Sequence, residues 1–218
     1  MSDACCHHVH PAPHQNPRYR RVLWVALLVN GAMFGVEIAG GLSAGSVALL
    51  ADAVDFFGDA ANYGLSLAVL GMALAWRARA AALKALSMGA FGLFVLGRAA
   101  WSASQGIVPE PATMGAIGAL ALLANVAVAA LLYAWRDGDA NMRSVWLCSR
   151  NDAIGNLAVM AAALGVFGTG RAWPDLIVAV VMATLALGAA KTVLRQAKAE
   201  LSLAAAAAAA PPRATSSG

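Results

Sequence analysis

Long, nearly uninterrupted apolar blocks dominate the pattern of hydrophobic and polar positions along this chain. Three of them are Val22–Gly35, Met114–Ala134 and Leu176–Ala190. Apolar runs of about 18 or more residues with few charges are typical of membrane-spanning helices. The alternation that membrane-spanning strands would need is absent from the sequence, and lipid tolerates only helices or closed barrels. The pattern therefore predicts an all-α integral membrane protein.

Six transmembrane helices account for these blocks. The predicted spans are Val22–Gly40, Val47–Trp76, Leu83–Gln105, Thr113–Trp135, Val145–Phe167 and Pro174–Leu194. Residues 1–17 are predicted to be a disordered tail rich in Cys and His, and residues 18–200 to form the six-helix domain. Residues 201–218 form a low-complexity tail of Ala, Pro and Ser, in which Pro211 and Pro212 disfavour a helix.

The distribution of basic residues predicts the orientation in the membrane. Lys and Arg concentrate in cytoplasmic loops. One side of the predicted topology holds Arg18, Arg20, Arg21, Arg77, Arg79, Lys84, Arg136, Arg143, Lys191, Arg195 and Lys198. The other side holds Arg171, with Glu110 as its acidic loop residue. Both termini are therefore expected in the cytoplasm.

Composition narrows the functional class. Hydrophobic residues make up 61% of the 218 residues and charged residues 12%, against about 25% charged in soluble domains. This excludes a soluble enzyme, a nucleic-acid-binding domain and a disordered chain. All four His lie in the first 14 residues, which excludes a bis-His haem site and a Ser–His protease site within the membrane. The first residues lack the order of a cleaved signal peptide, so the first span is expected to be retained.

The second predicted span carries an acidic face. Asp52, Asp55, Asp59 and Asn62 fall within an arc of about 80° on a helix. Each Asp at mid-bilayer costs about 2.5–3.5 kcal/mol on insertion scales. Three on one face are expected to turn away from lipid, towards water, a partner charge or a cation.

The fifth span offers a matching face. Cys148 and Asp152 lie one helical turn apart, and Asn156 continues that line. If the two faces meet, Asp55, Asp59, Cys148 and Asp152 supply three oxygen ligands and one sulfur. Such a set suits Zn²⁺ or Cd²⁺ better than Mg²⁺ or Ca²⁺. These ligands bind metal only when deprotonated, so metal loading and proton release are coupled.

The remaining polar residues of the spans have other expected roles. Asn62 and Asn156 are either pathway residues or interhelical hydrogen-bonding groups. Glu37 either serves cation access or pairs with another helix, and Asp52 is expected to act as a gate near the outer mouth. We expect Arg98 to be a counter-charge for an acidic residue. Asp175 follows Pro174 and is expected to complement the N-terminus of its own helix.

Three segments together resemble the cation diffusion facilitator family. They are EIAGG from Glu37, SVALLADAVDFFGD from Ser46 and NDAIGN from Asn151. The resemblance covers about residues 22–195 and implies six helices with both ends in the cytoplasm. It implies export of Zn²⁺ and related divalent ions from a homodimer, often against protons, through a site formed by Asp55, Asp59, Cys148 and Asp152. It also implies a bacterial cytoplasmic membrane as the location.

Two departures from the family pattern affect these expectations. The family commonly has His at the position of Cys148, which leaves the metal preference open. Many members also carry a cytoplasmic C-terminal domain, and this chain is expected to be a short member without it. A homodimer is then expected to form through the membrane helices.

The N-terminal tail adds a further group of soft ligands. It contains Cys5, Cys6, His7, His8 and His10. These residues are expected to capture metal near the cytoplasmic entrance. The alternative is a flexible tail with ligands by chance.

The function predicted from the sequence is efflux of a divalent metal cation, Zn²⁺ before Cd²⁺ or Co²⁺, in exchange for protons. The metal is then a substrate, no cofactor is needed, and the partners are ions, protons, lipid and a second copy, without nucleic acid. One alternative is an intramembrane aspartyl protease using Asp59 and Asp152. Phe57–Gly58–Asp59 lacks the Gly-x-Gly-Asp pattern of presenilin-like enzymes. Another is a membrane metal sensor or scaffold without transport.

Overall fold

The computed structural model describes residues 17–68, 74–135 and 140–209, with side chains except at 74, 77, 140–151 and 206–209. These residues form six α-helices and contain no strand. The helices are α1 (Pro17–Ala44), α2 (Val47–Ala68), α3 (Leu74–Gln105), α4 (Pro111–Leu132), α5 (Ala140–Thr169) and α6 (Trp173–Ala209), with a 3₁₀ turn at Tyr133–Trp135. The predicted all-α class is confirmed.

Three helices end at a glycine with positive φ. Gly45, Gly106 and Gly170 follow α1, α3 and α5 with φ of 69°, 63° and 61°. Ser46 N–H bonds back to Gly41 O and Ile107 N–H to Ser102 O, which is the hydrogen bond of a Schellman motif. Glycine takes this left-handed conformation without a steric penalty, so each of these helices stops where the sequence places the glycine.

The connections that follow these glycines lie at one end of the bundle. Glu110 N–H donates to Ala44 O over 2.9 Å, and Ser46 Oγ donates to Asp175. At the opposite end, the rings of Tyr19 and Trp135 are 5.5 Å apart. The helices therefore alternate in direction, as the charge pattern predicts for six passes.

Helix α2 lies at the centre of the bundle. It contacts all five other helices. Each of the other helices packs most extensively on one neighbour: α1 on α2, α3 on α6, and α4 on α5. Within the described residues, five helices are long and apolar enough to span a membrane. The 22 residues of α2 are also long enough, at about 33 Å, but include three Asp. A central position keeps those acids away from lipid.

Three predicted boundaries differ most from the structure. The second span was predicted to reach Trp76, but α2 ends at Ala68, and α3 begins at Leu74 rather than Leu83. The segment before Leu83 is rich in Ala and Arg, which favour helix, so α3 extends beyond its most apolar part. Helix α6 likewise continues to Ala209, because its final alanines are strong helix formers.

Candidate functional site

The acids of α2 and α5 meet inside the bundle. The carboxyl groups of Asp59 and Asp152 are within hydrogen-bonding reach of each other. Asp59 is buried and Asp152 is partly exposed. Two carboxyl groups in contact repel unless a proton or a cation lies between them. The structure thus brings together one predicted ligand from each helix.

Asp59 has two further neighbours at the cytoplasmic end of α2. Tyr63 Oη donates a 2.9 Å hydrogen bond to Asp59 Oδ2. Lys84 of α3 is close enough to act on the Asp59 charge, and its ammonium group donates to Asn62 Oδ1. The predicted pathway residue Asn62 therefore holds a lysine beside the acidic pair.

A second polar chain runs through the bundle nearer the outer end. Asn125 Nδ2 of α4 donates to Asn156 Oδ1 of α5 over 2.9 Å. Asn156 Nδ2 donates to Asp52 Oδ2 of α2 over 2.6 Å, and Asp52 contacts the carboxyl group of Glu37 from α1. The chain links four helices, and both of its carboxyl groups are at most 1% exposed.

Glu37 is the most isolated group of this polar chain. Both of its carboxyl oxygens are buried and receive no hydrogen bond from a described N–H or O–H group. Its contact is with Asp52, so the interpretation that Glu37 pairs with another helix agrees with the structure. A hydrogen bond between two carboxyl groups requires one shared proton.

The structure describes the side chains of three of the four predicted metal ligands. Asp55 lies between Asp52 and Asp59 on the same face of α2 and is partly exposed. Cys148 lies on α5 one turn before Asp152, but its side chain is outside the described residues. The tail ligands Cys5, Cys6, His7, His8 and His10 are also outside them. Among the described side chains, no group of three or more His, Cys, Asp or Glu is placed to hold a metal ion.

Asp175 has partners on α2 in addition to its expected position at the start of α6. It lies in the first turn of α6, but it accepts hydrogen bonds from the backbone amides of Val47 and Ala48 over 2.9 and 3.1 Å. It therefore caps α2 in addition to its expected place in the first turn of its own helix, because the beginnings of the two helices lie side by side.

The expectation for Arg98 is not supported. Its Nε is buried without a hydrogen-bond partner among the described residues, so no acidic counter-charge is evident there. The sequence reasoning also missed Tyr63 and Lys84. Tyr63 could have been found, because it lies one turn after Asp59 on the same helix face. Lys84 could not, because its position depends on how α3 packs on α2.

The sequence matches a known family of membrane proteins. A family model described as the cation efflux transmembrane domain matches residues 23–202. The chain belongs to the cation efflux family. The family is one of transporters, which agrees with the prediction of a transporter and not an enzyme, and the chain is a multi-pass membrane protein.

Two curated members of the cation efflux family are similar in sequence. They are the metal cation efflux system protein CzcD of Cupriavidus metallidurans and the cation efflux system protein CzcD of an Alcaligenes species. Each is 26% identical over 187 residues, which cover 80% of this chain and 58% of the relative. The chain thus spans well under two thirds of their length. Both relatives are bacterial, in agreement with the predicted bacterial cytoplasmic membrane.

Proposed function

We propose that this protein exports divalent metal cations, Zn²⁺ first, from the cytoplasm in exchange for protons. The observation that carries the proposal is the contact between the carboxyl groups of Asp59 and Asp152, which come from two helices of the bundle. An acidic pair inside a membrane protein is costly unless it binds a cation or a proton. The cation efflux family and the name of its CzcD members support a metal as the substrate.

The proposed coordination site uses Asp55 and Asp59 of α2 with Cys148 and Asp152 of α5. Each pair is spaced by one helical turn, so both members lie on one face of their helix. A thiolate among three carboxylates favours Zn²⁺ or Cd²⁺ over cations that prefer oxygen ligands alone. Tyr63 is proposed to orient the Asp59 carboxylate through its hydrogen bond.

Exchange for protons follows from the ligand chemistry. Carboxylate and thiolate groups bind a metal only after losing their protons, and they take up protons when the metal leaves. In the metal-free site, a proton shared by Asp59 and Asp152 is proposed to take the place of the cation. Protons from outside would therefore displace the metal, and the cytoplasmic side would reload it.

The path of the cation is proposed to follow α2. Asn62 lies towards the cytoplasm, and Asp52 with Glu37 lies about 10 Å further along the helix than Asp59, towards the outer end. Asp52 and Glu37 are proposed to receive the cation or its counter-proton on release. The proposed role of the Cys and His tail is to concentrate metal at the cytoplasmic entrance, and the proposed assembly is a homodimer through membrane helices.

The proposal is tested by ion uptake into proteoliposomes that contain the full chain. Zn²⁺, Cd²⁺, Co²⁺ and Mg²⁺ are compared with and without a pH gradient. We expect Asp59→Asn and Asp152→Asn to abolish uptake of Zn²⁺, since each removes an ionisable ligand while preserving shape. Glu110→Gln, which lies outside the bundle interior, is the matched control and should transport normally.

Several outcomes would decide against the proposal. Uptake at the normal rate in both Asp variants would show that Asp59 and Asp152 are not part of the transport site. Zn²⁺ binding without uptake would favour a sensor or scaffold. Uptake at the same rate with and without the pH gradient would show that the protein does not exchange metal for protons. Cys148→His should shift the ranking of Zn²⁺ against Cd²⁺, and an unchanged ranking would show that Cys148 is not a ligand.

A further inference from the structure

A groove runs along the surface where α3 packs on α6, in the cytoplasmic half of the bundle. It has a volume of about 830 Å³, within the range of about 300–1,000 Å³ typical of small-molecule sites. Ala, Gly and Leu residues line most of it, among them Gly89, Leu93 and Leu187, and no acidic residue does. The groove lies apart from the buried acids, because none of those residues lines it.

Three cations of α6 line the same groove. They are Lys191, Arg195 and Lys198, which fall within an arc of about 60° at helical spacing. All three side chains are exposed, and no salt bridge to them is found in the described part of the chain. One helix therefore presents three unpaired positive charges to one side of an apolar channel.

The position of these cations matches the membrane surface. Helix α6 has 37 residues and is about 55 Å long, whereas the hydrocarbon core is about 30 Å thick. A core that begins near Trp173, at the outer end, would end about 20 residues later, close to Lys191. The cations therefore lie at the level of lipid headgroups. The part of the groove lined by Gly89, Leu93 and Leu187 runs from there towards the membrane centre.

We propose that the groove between α3 and α6 binds an anionic phospholipid of the cytoplasmic leaflet. The phosphate would lie against Lys191, Arg195 and Lys198, and one acyl chain would follow the channel past Gly89 towards Leu93 and Leu187. Charge complementarity identifies the headgroup as anionic, since a zwitterionic lipid would bring its own cation to this cluster. The site is independent of the proposed metal function.

Basic residues also occur at the cytoplasmic ends of other helices, where they interact with the anionic surface in general. The groove distinguishes this cluster, because α6 combines the three charges with a cavity that can hold a chain. Arg18, Arg20 and Arg21 of α1 provide the matched comparison, with three cations that line no part of this groove.

The test is native mass spectrometry of the purified full chain in neutral detergent. Phosphatidylglycerol and phosphatidylcholine with identical acyl chains are titrated separately. We expect the protein to prefer phosphatidylglycerol, and the triple variant Lys191→Gln, Arg195→Gln, Lys198→Gln to bind it about 100-fold more weakly. The variant Arg18→Gln, Arg20→Gln, Arg21→Gln should keep the preference.

A second pair of variants tests the channel without changing charge. A Cβ at Gly89 would have one neighbour within 4 Å, Ala190 Cβ at 3.8 Å, whereas a Cβ at Gly97 of the same helix would have none. Gly89→Leu should therefore fill the groove and weaken phosphatidylglycerol binding, and Gly97→Leu should not. Both variants are expected to fold, because leucine favours helix over glycine.

Three results would overturn the proposal. Equal losses in the α1 and α6 triple variants would show general surface attraction. Displacement of the lipid by inorganic phosphate at similar concentration would show an anion site without a chain. A lipid-free dimer that Gly89→Leu dissociates would show that a second copy occupies the groove.

Discussion

The hydroxyl group of Ser46 donates a 2.6 Å hydrogen bond to Oδ1 of Asp175, which lies 129 residues further along the chain. The same hydroxyl accepts a hydrogen bond from Leu49 N–H over 3.2 Å. Ser46 is thus the N-cap of α2, and Asp175 of α6 completes the cap from another helix. Because α3 packs chiefly on α6, this contact joins the α3–α6 pair to the helix that carries Asp55 and Asp59.

Replacement of Asp175 by Ala is therefore expected to destabilise the whole bundle. It would leave the buried amides of Val47 and Ala48 without an acceptor, and each unsatisfied buried group costs about 1–3 kcal/mol. We expect a loss of about 2–4 kcal/mol in the free energy of unfolding, measured by thermal unfolding in detergent. Asp175→Asn keeps one acceptor oxygen and should lose less.

The control for Asp175 is Glu110→Ala, since Glu110 is an exposed cap of its own helix. It should lower the midpoint far less than Asp175→Ala does. Equal midpoints for Asp175→Ala and the unmodified protein would mean that the capping of α2 from α6 contributes little.

The helices and their alternating directions could be predicted because both depend on local composition. Apolar length sets the number of spans, and glycines such as Gly106 and Gly170 end helices through their own backbone conformation. The end of α2 and the start of α3 could not be predicted, because hydropathy measures how apolar a segment is and not where its helix begins or ends. A helix continues for as long as its backbone bonds are favourable, which for Arg79 and its neighbours extends beyond the apolar part.

The candidate site was predictable to the extent that one helix determines it. Helical spacing placed Asp52, Asp55 and Asp59 on one face, and the contact of Asp59 with Asp152 agrees with the expected meeting of α2 and α5. The partners of Asp175 and Lys84 could not be predicted. Both contacts join residues of different helices, so they depend on packing that spacing along one helix does not specify.

Gly41 is expected to be essential for the close contact of α1 with α2. A Cβ at Gly41 would lie 2.8 Å from Leu50 Cδ2 and 3.2 Å from the backbone nitrogen of Leu50. The leucine side chain can move, but the backbone nitrogen belongs to a packed helix. Overpacking costs about 1–3 kcal/mol, so we expect Gly41→Ala to lower stability in thermal unfolding despite the better helix propensity of Ala.

Gly35 provides the comparison on the same helix. A Cβ there would have no neighbour within 4 Å, so Gly35→Ala should be neutral or stabilise by up to about 1 kcal/mol through helix propensity. Unfolding midpoints that move together in the two variants would contradict the steric argument.

Tyr63→Phe tests whether the proposed metal ligand Asp59 depends on its hydrogen bond. Groups that hydrogen-bond to a metal ligand typically contribute 10–100-fold to affinity or activity. We therefore expect the apparent KM for Zn²⁺ in proteoliposome uptake to rise about tenfold, with similar protein yield and unfolding midpoint. Tyr133→Phe, at an exposed tyrosine after α4, should keep the normal KM. An unchanged KM in Tyr63→Phe would leave this hydroxyl with a purely structural role.

The cap of α4 predicts a pH dependence of stability at acidic pH. Hydrogen bonds from Thr113, and then from the Ala112 amide, lower the pKa of the Glu110 carboxyl below its ordinary value. The stabilisation is therefore complete above the pKa of the unfolded chain, about 4.3, and is lost as the pH falls through the lower pKa of the folded protein. Unfolding midpoints of the protein and of Glu110→Gln should differ most above about pH 5 and converge as the pH falls through the lowered pKa of the folded protein. Since both proteins share the buried acids of the bundle, their difference isolates Glu110, and a gap that stays constant across this range would show that its charge does not support the cap.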